Sequence, residues 1–303
     1  MTKVLWLGQQ DTILPWLNDL RHELSKLCEV VAYGDGSEFI PEFNVEKIVE
    51  KENPDVIMLG NNQYKFTNLS KVKIPKALKC TDPWTNIRQH VAFIKDADIS
   101  LVLMNYNCAT SEYRKYLPER KFGRLPHTLN TNLFKNLGLE RNIDVACIES
   151  ESGTYPVKTA IYHELRKPQP FKVFISRPHS LSFDEYVKKI NQSKIFAFGN
   201  VNMSVGDSKI MIFPMAKIYE IMGCETLCMM DTPDEAEELH FIPDYNFISI
   251  TSETFLSKIK YWLNNETERI KIARCGYKTC LKYHTVETRT RELKKMLEEL
   301  IKK

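Results

Sequence analysis

Along this chain, short apolar runs alternate with stretches in which a large aliphatic residue returns every three or four positions. These are the periods of buried strands and of amphipathic helices. Lys3 to Leu7 reads as a strand ending at Gly8. After Gln9, Gln10 and Asp11, a helical period runs through Leu14, Leu17, Leu20, Leu24 and Leu27. Further strands are expected at Glu29 to Tyr33, Asp55 to Leu59, Ile74 to Lys79, Ile99 to Met104 and Phe122 to Leu125. Helices are expected between them, from Asn44, from about Thr85 and from Cys108. Strand and helix in strict alternation predict a parallel sheet covered on both faces.

Pro126 to Leu139 breaks the rhythm with proline, asparagine and glycine, and the boundary between two domains is expected there. A second alternation follows, with strands at Ile143 to Ile148, Phe171 to Ile175, Lys194 to Phe198, Thr226 to Met230 and Phe247 to Ile250. Ser182 with Glu185 makes a capping box, and Thr232-Pro233-Asp234-Glu235 reads as another helix start. From Glu253 onward the pattern is helical, with breaks near Asn264 and around Tyr283-His284, and a cap at Asn265. The expected fold class is therefore α/β, with two Rossmann-like domains. The first spans 1–139 with helix 285–303 added, and the second spans 140–284.

Composition narrows this little. The 303 residues are 43% hydrophobic and 27% charged, with a formal net charge of +3 spread along the chain. That is ordinary for a folded globular protein and provides no strong field for nucleic acid. No apolar run reaches the length of a membrane span, and the opening residues lack a cleavage pattern. The eight cysteines are scattered without a CxxC pair, which suits reduced thiols in the cytoplasm rather than a zinc site.

Missing motifs exclude more. Gly8 is not followed by GxGxxG, so a nicotinamide cofactor is not expected, and GxxxxGK[ST] and GxSxG are absent as well. Asp96-Ala97-Asp98 has the form of a DxD metal motif, but it precedes a strand where a metal site should follow one, and its carboxylates fit a solvated turn. Lys217 and Glu220 stand three apart on one helical face within Ser208 to Asp231. An exposed ion pair is the plain reading of such spacing.

Thr81-Asp82-Pro83-Trp84, Leu125-Pro126 with Asn130 and Phe134, Arg141 to Ala146, Tyr155-Pro156-Val157-Lys158 and the run from Asn191 through Lys217-x-x-Glu220 to His284 and Arg289 occur in an order and spacing that resembles the CgeB-like group (spore maturation protein) of GT-B glycosyltransferases. The likeness begins near Lys79. It implies two Rossmann-like domains facing a cleft, C-terminal helices crossing back to the first domain, and sugar transfer from a nucleotide-sugar donor without a metal or other cofactor. In that family's scheme Glu220 takes the donor ribose and Lys217 its phosphates, and Lys158 stands at the family's Tyr-Pro-x-Arg helix start. Gly153, where a missing side chain lets backbone amides approach the diphosphate, and Arg177, just beyond a strand, are the further donor-side candidates. Such roles suit the chemistry, since a carboxylate accepts from two hydroxyls and cations hold a diphosphate.

Four positions depart from the family pattern. Lysine stands at 217 and 158 in place of arginine, Glu225 replaces a glycine near the expected donor phosphates, and Ile212 replaces an earlier glutamate. On the acceptor side, a general base is expected at Asp82, with Asp11 as runner-up. A turn or helix cap is the alternative for Asp82. His22 and His90 lie on helix faces as structural residues, and Arg177 and His179 form an exposed loop pair or line the base pocket. The acceptor is unassigned. A GT-B nucleotide-sugar epimerase, a non-catalytic nucleotide-binding module and a DNA-modifying, phage-type transferase are the alternative functions.

Overall fold

The computed structural model describes residues 1–9, 16–60, 63–149, 155–177 and 180–302. The chain divides into two compact units. One is Met1–Pro126 with Ser204–Lys209 and Val286–Lys303, and the other is His127–Met203 with Ile210–Thr285.

In the first unit, β1 (Lys3–Gln9), α1 (Trp16–Ser25), β2 (Glu29–Asp35), α2 (Val45–Glu52), β3 (Val56–Leu59), β4 (Lys76–Cys80), α3 (Ile87–Asp96), β5 (Leu101–Met104), α4 (Thr110–Tyr116) and β6 (Lys121–Arg124) alternate as the periodicity predicts. Local chemistry fixes the helix ends. At α2, the Asn44 side chain accepts from the amide of Glu46, and Asn53 closes the helix in the left-handed region at φ 46°. The six strands are parallel in the order β2-β1-β3-β4-β5-β6.

The second unit contains β7 (Ile143–Ile148), α5 (Pro156–Leu165), β8 (Val173–Ser176), α6 (Phe183–Asn191), β9 (Ser193–Ala197), β10 (Val201–Met203), β11 (Met211–Phe213), α7 (Lys217–Gly223), β12 (Leu227–Met230), β13 (Ile248–Ser249), α8 (Phe255–Asn264) and α9 (Glu266–Tyr283). Its parallel sheet runs β13-β12-β9-β7-β8. Because successive side chains point to opposite faces, each strand feeds two cores. Ala146, Ile148, Phe196, Cys228 and Met230 enter one, and Val145, Cys147, Ile195, Ala197, Leu227 and Met229 enter the other. A sheet buried on both sides requires such unbroken apolar runs.

The last helix, α10 (Val286–Ile301), is part of the first unit. Leu293, Leu297 and Leu300 recur at helical spacing and share a core with Leu17, Leu20 and Leu24 of α1.

The structure corrects the sequence reading at several points. The division falls after Pro126, so residues 127–139 belong to the second unit and not to the first. Leu129 and Phe134 are buried in the second unit's core, and the Leu129 amide donates to the His284 carbonyl at 2.7 Å. Ser204–Lys209, within the expected second domain, clusters with the first unit. The antiparallel hairpin of β10 and β11 was not anticipated, because strands this short carry no readable period.

Thr232 to Glu235 does not open an α-helix. Only a 3-10 turn at Glu237–Leu239 follows. Asp234 spends its capping groups elsewhere, its Oδ2 accepting from the Ile212 amide at 2.9 Å while its own amide donates to the Ile212 carbonyl. Asn265 does precede α9, but its side chain turns back to the Tyr261 carbonyl and makes no cap bond.

Candidate functional site

The order of the second sheet reverses at β7, whose successor β8 lies on one side and β9 on the other. In parallel α/β sheets, ligands bind beyond the carboxyl ends of the strands at such a reversal. The residue directly after β7 is Glu149, which is only 2% exposed. A buried carboxylate needs counter-charge, and two lysines supply it. Lys158 Nζ lies 2.8 Å from Glu149 Oε2 and Lys217 Nζ 2.5 Å from Oε1. Lys217 also donates to the Ile148 carbonyl at 2.7 Å.

Both lysines come from helix starts. Lys158 is the third residue of α5, after Pro156 in its first turn, and Lys217 is the first residue of α7. The two ammonium groups lie 5.5 Å from the centre of the Tyr155 ring and 5.6 Å from that of Phe198, respectively. Cations over aromatic faces gain a further electrostatic contribution. Two lysines and one glutamate leave the cluster with a net positive charge, which suits an anionic ligand.

Two further elements fix the frame. Gly199, just beyond β9, lies so close to α5 that an added Cβ would stand 2.4 Å from the Lys158 amide nitrogen. Buried Asn200 links three loops. Its amide donates to Asp231 Oδ1 at 2.7 Å, its Nδ2 to the Asp231 carbonyl at 2.7 Å, and its Oδ1 accepts from Met215 ahead of α7. Burial pushes the Asp231 carboxyl above its usual range, partly offset by the Asn200 amide.

Glu220 lies one turn along α7 from Lys217, yet they form no ion pair among the described residues. Lys217 turns to Glu149, while Glu220 Oε2 accepts from the Tyr186 hydroxyl of α6 at 2.6 Å. Burial raises the Glu220 carboxyl above its ordinary value, against the opposing pull of the Tyr186 hydrogen bond and the Lys217 charge. The same burial, with Glu220 beside it, pushes the Tyr186 phenol well up.

The sequence-derived candidates fall into three groups. Lys158 and Lys217 meet at Glu149, and Glu220 stands beside them on α7. Arg177 is exposed just past β8, where its carbonyl accepts from Ser180 Oγ at 2.7 Å. Gly153, Asp11 and His179 lie outside the described residues. Glu149, Tyr186, Asn200 and Asp231 escaped the sequence reading. For Glu149 the signal was present, as a carboxylate directly after the first apolar strand of a doubly wound domain.

Glu225 is not near the expected phosphate position. It follows the C-terminal end of α7, the opposite end from Lys217, and its carboxylate accepts from Asn136 Nδ2 at 2.6 Å. Glu225 has φ 52°. Its amide bonds the Met222 carbonyl at 3.0 Å, and Thr226 bonds Ile221, the two bonds of a Schellman helix stop. The position therefore favours glycine for its backbone, independently of any ligand. Ile212 lies in β11, paired with Asn202.

In the first unit, Asp82 follows β4 as an exposed residue. It is not the cap of α3, a role Asn86 fills, and its carbonyl, not its carboxylate, accepts from Thr85. Partial desolvation raises its carboxyl. His90 Nδ1 bonds the Tyr113 hydroxyl at 2.8 Å. His22 stands 2.9 Å from Glu38. Asp98 pairs with Arg120 at 2.9 Å, and no cluster of three or more potential metal ligands forms among the described residues. No helix among them is long and apolar enough to cross a membrane.

Residues 158–295, a little under half the chain, match the family model described as glycosyl transferase-like. The match begins at Lys158 in α5 and runs into α10. No curated protein matches the sequence. Among solved structures, HepE of Anabaena in complex with UDP and glucose superposes with a TM-score of 0.71 at 15% identity, covering 99% of this chain and 100% of that one. A glycosyltransferase from Rickettsia africae gives 0.69 at 11% identity with 99% of each chain covered. Sucrose-phosphate synthase from Thermosynechococcus elongatus gives 0.68 at 9%, again over 99% of both. The chain has the GT-B glycosyltransferase fold.

Proposed function

We propose that this protein transfers a sugar from a nucleotide-sugar donor to an acceptor hydroxyl without a metal, and that the Glu149–Lys158–Lys217 cluster forms the floor of the donor diphosphate site. The observation that carries this reading is the convergence of two lysines on one buried carboxylate at the reversal of the sheet. The family-model match over 158–295 and a fold shared with a UDP-bound structure support it.

Transfer breaks the bond between the sugar's anomeric carbon and the diphosphate, which leaves with both electrons. The two ammonium groups stabilise the charge that develops there, and Glu149 holds them in place beforehand. Such preorganised charge is the largest contribution in many group transfers. Glu220 is the proposed ribose acceptor, and Arg177 lies on the same carboxyl edge of the sheet. For the acceptor hydroxyl the proposed general base is Asp82, whose raised carboxyl suits proton abstraction. Membership of the CgeB-like group and a cytoplasmic location are part of this proposal.

Calorimetric titration with UDP-, GDP- and dTDP-sugars in the presence of EDTA tests it. One donor is expected to bind, and Lys158→Ala and Lys217→Ala are each expected to weaken it about tenfold or more. Binding that appears only with added Mg²⁺, or no binding of any donor, would overturn the reading.

A further inference from the structure

Glu220 does not stand alone at the proposed donor site. Its Oε2 is taken by the Tyr186 hydroxyl at 2.6 Å, a length typical of an O–H donor on a charged carboxylate. Tyr186 belongs to the first turns of α6, whose start is locked by a complete capping box between Ser182 and Glu185. On its other side the Tyr186 ring meets Phe134 edge-on at 6.3 Å. The phenol is thus fixed at both ends, while Glu220 sits on a helix of only seven residues without a side-chain cap. A glutamate has three rotatable side-chain bonds, and a half-buried one held at a single oxygen keeps one orientation.

We propose that Tyr186 is a positioning residue for donor recognition: by holding Glu220 Oε2 it presents Oε1 to the ribose hydroxyls of a nucleoside diphosphate. This rests on the donor-site reading above. Oε1 has no hydrogen-bond partner among the described residues, and Glu220 is partly exposed. The carboxylate therefore keeps acceptor capacity for a hydroxyl on that oxygen. Without the tyrosine, Glu220 would have to give up rotamer freedom on binding, and both its oxygens would compete for the same hydroxyls. The diphosphate end of the ligand would still meet Lys158 and Lys217, which Tyr186 does not touch.

The consequence is selective for the ribose. The measurement compares UDP and GDP, and then the tighter of the two against its 2′,3′-dideoxy analogue, on the wild-type protein and on Tyr186→Phe. The wild type is expected to prefer the ribose form by about tenfold or more, the range of hydrogen bonds to a charged group. Tyr186→Phe is expected to lower that preference to about threefold or less while its affinity for the dideoxy form stays within about twofold of wild type. The dideoxy affinity also reports that the variant is folded. If the preference is unchanged in Tyr186→Phe, or if both ligands weaken together, the positioning role is wrong and the donor-site reading stands. If the wild type binds neither diphosphate, or binds both forms equally, this proposal fails, and the donor-site reading falls with it only if no UDP-, GDP- or dTDP-sugar binds.

Discussion

Lys217 Nζ lies 2.5 Å from Glu149 Oε1 and 2.7 Å from the carbonyl of Ile148, so one ammonium closes the end of β7 from the start of α7. The arrangement ties a strand end, a helix start and a charge to a single point. Its stability depends on balance, since Glu149 is buried and either lysine alone compensates it only in part.

Lys217→Met removes one counter-charge while Lys158 keeps the carboxylate partly satisfied. The expected cost is about 1–3 kcal/mol, the penalty of an under-satisfied buried group. Thermal unfolding should show the loss, and adding Glu149→Gln in the same chain should recover part of it. A double variant less stable than the sum of its parts would contradict the pairing.

Glu225 offers the opposite case. Its φ of 52° is costly for any residue with a Cβ, by about 1–2 kcal/mol. Glycine would remove that cost but lose some of the gain to unfolded-chain entropy. Glu225→Gly is expected to stabilise by about 0.5–1 kcal/mol, seen as a higher Tm, with donor affinity unchanged. A lower Tm would mean that the Asn136 bond outweighs the backbone strain.

How far the sequence could be read follows from what each feature depends on. The sheets and their covering helices were legible because burial on two faces demands runs such as Val145 to Ile148, and helix faces demand leucines at the spacing of Leu293, Leu297 and Leu300. The capping box at Ser182 was legible because it is local. Asp234 was misread for the reason that its partner, Ile212, lies 22 residues away. The site was half legible. Lys158, Lys217 and Glu220 stand at helix starts that motif spacing marks, whereas Glu149 and Tyr186 matter only through contacts 68 and 34 residues along the chain. The stop of α7 was hidden because glutamate, not glycine, occupies its left-handed closing position at 225.

Glu220 gives a pH dependence with a definite sign. Burial raises its carboxyl above the ordinary 4.5. In the range between the unfolded and folded values the native state therefore holds more protons than the unfolded one, so stability falls as pH rises. Glu220→Gln, which keeps an acceptor for Tyr186, removes that loss. It should melt higher than wild type at neutral pH, with the advantage shrinking as pH drops toward about 4.5, and donor binding should weaken throughout. A stability advantage that is constant with pH would show that Glu220 does not titrate in this way.

Gly199 tests whether the lysine frame needs its close backbone approach. A Cβ there would stand 2.4 Å from the Lys158 nitrogen and 2.7 Å from its Cα, both backbone atoms that cannot rotate away. Gly199→Ala must therefore push the start of α5 off the end of β9, and overpacking of this kind costs about 1–3 kcal/mol. Displacing α5 carries Lys158 away from Glu149, so donor affinity should fall together with Tm. Gly138→Ala is the control, because it adds a Cβ at a strained φ of 66° in open space. It should lower Tm without touching donor affinity. Equal effects of the two on binding would show that the contact at Gly199 supports the fold but does not position the site.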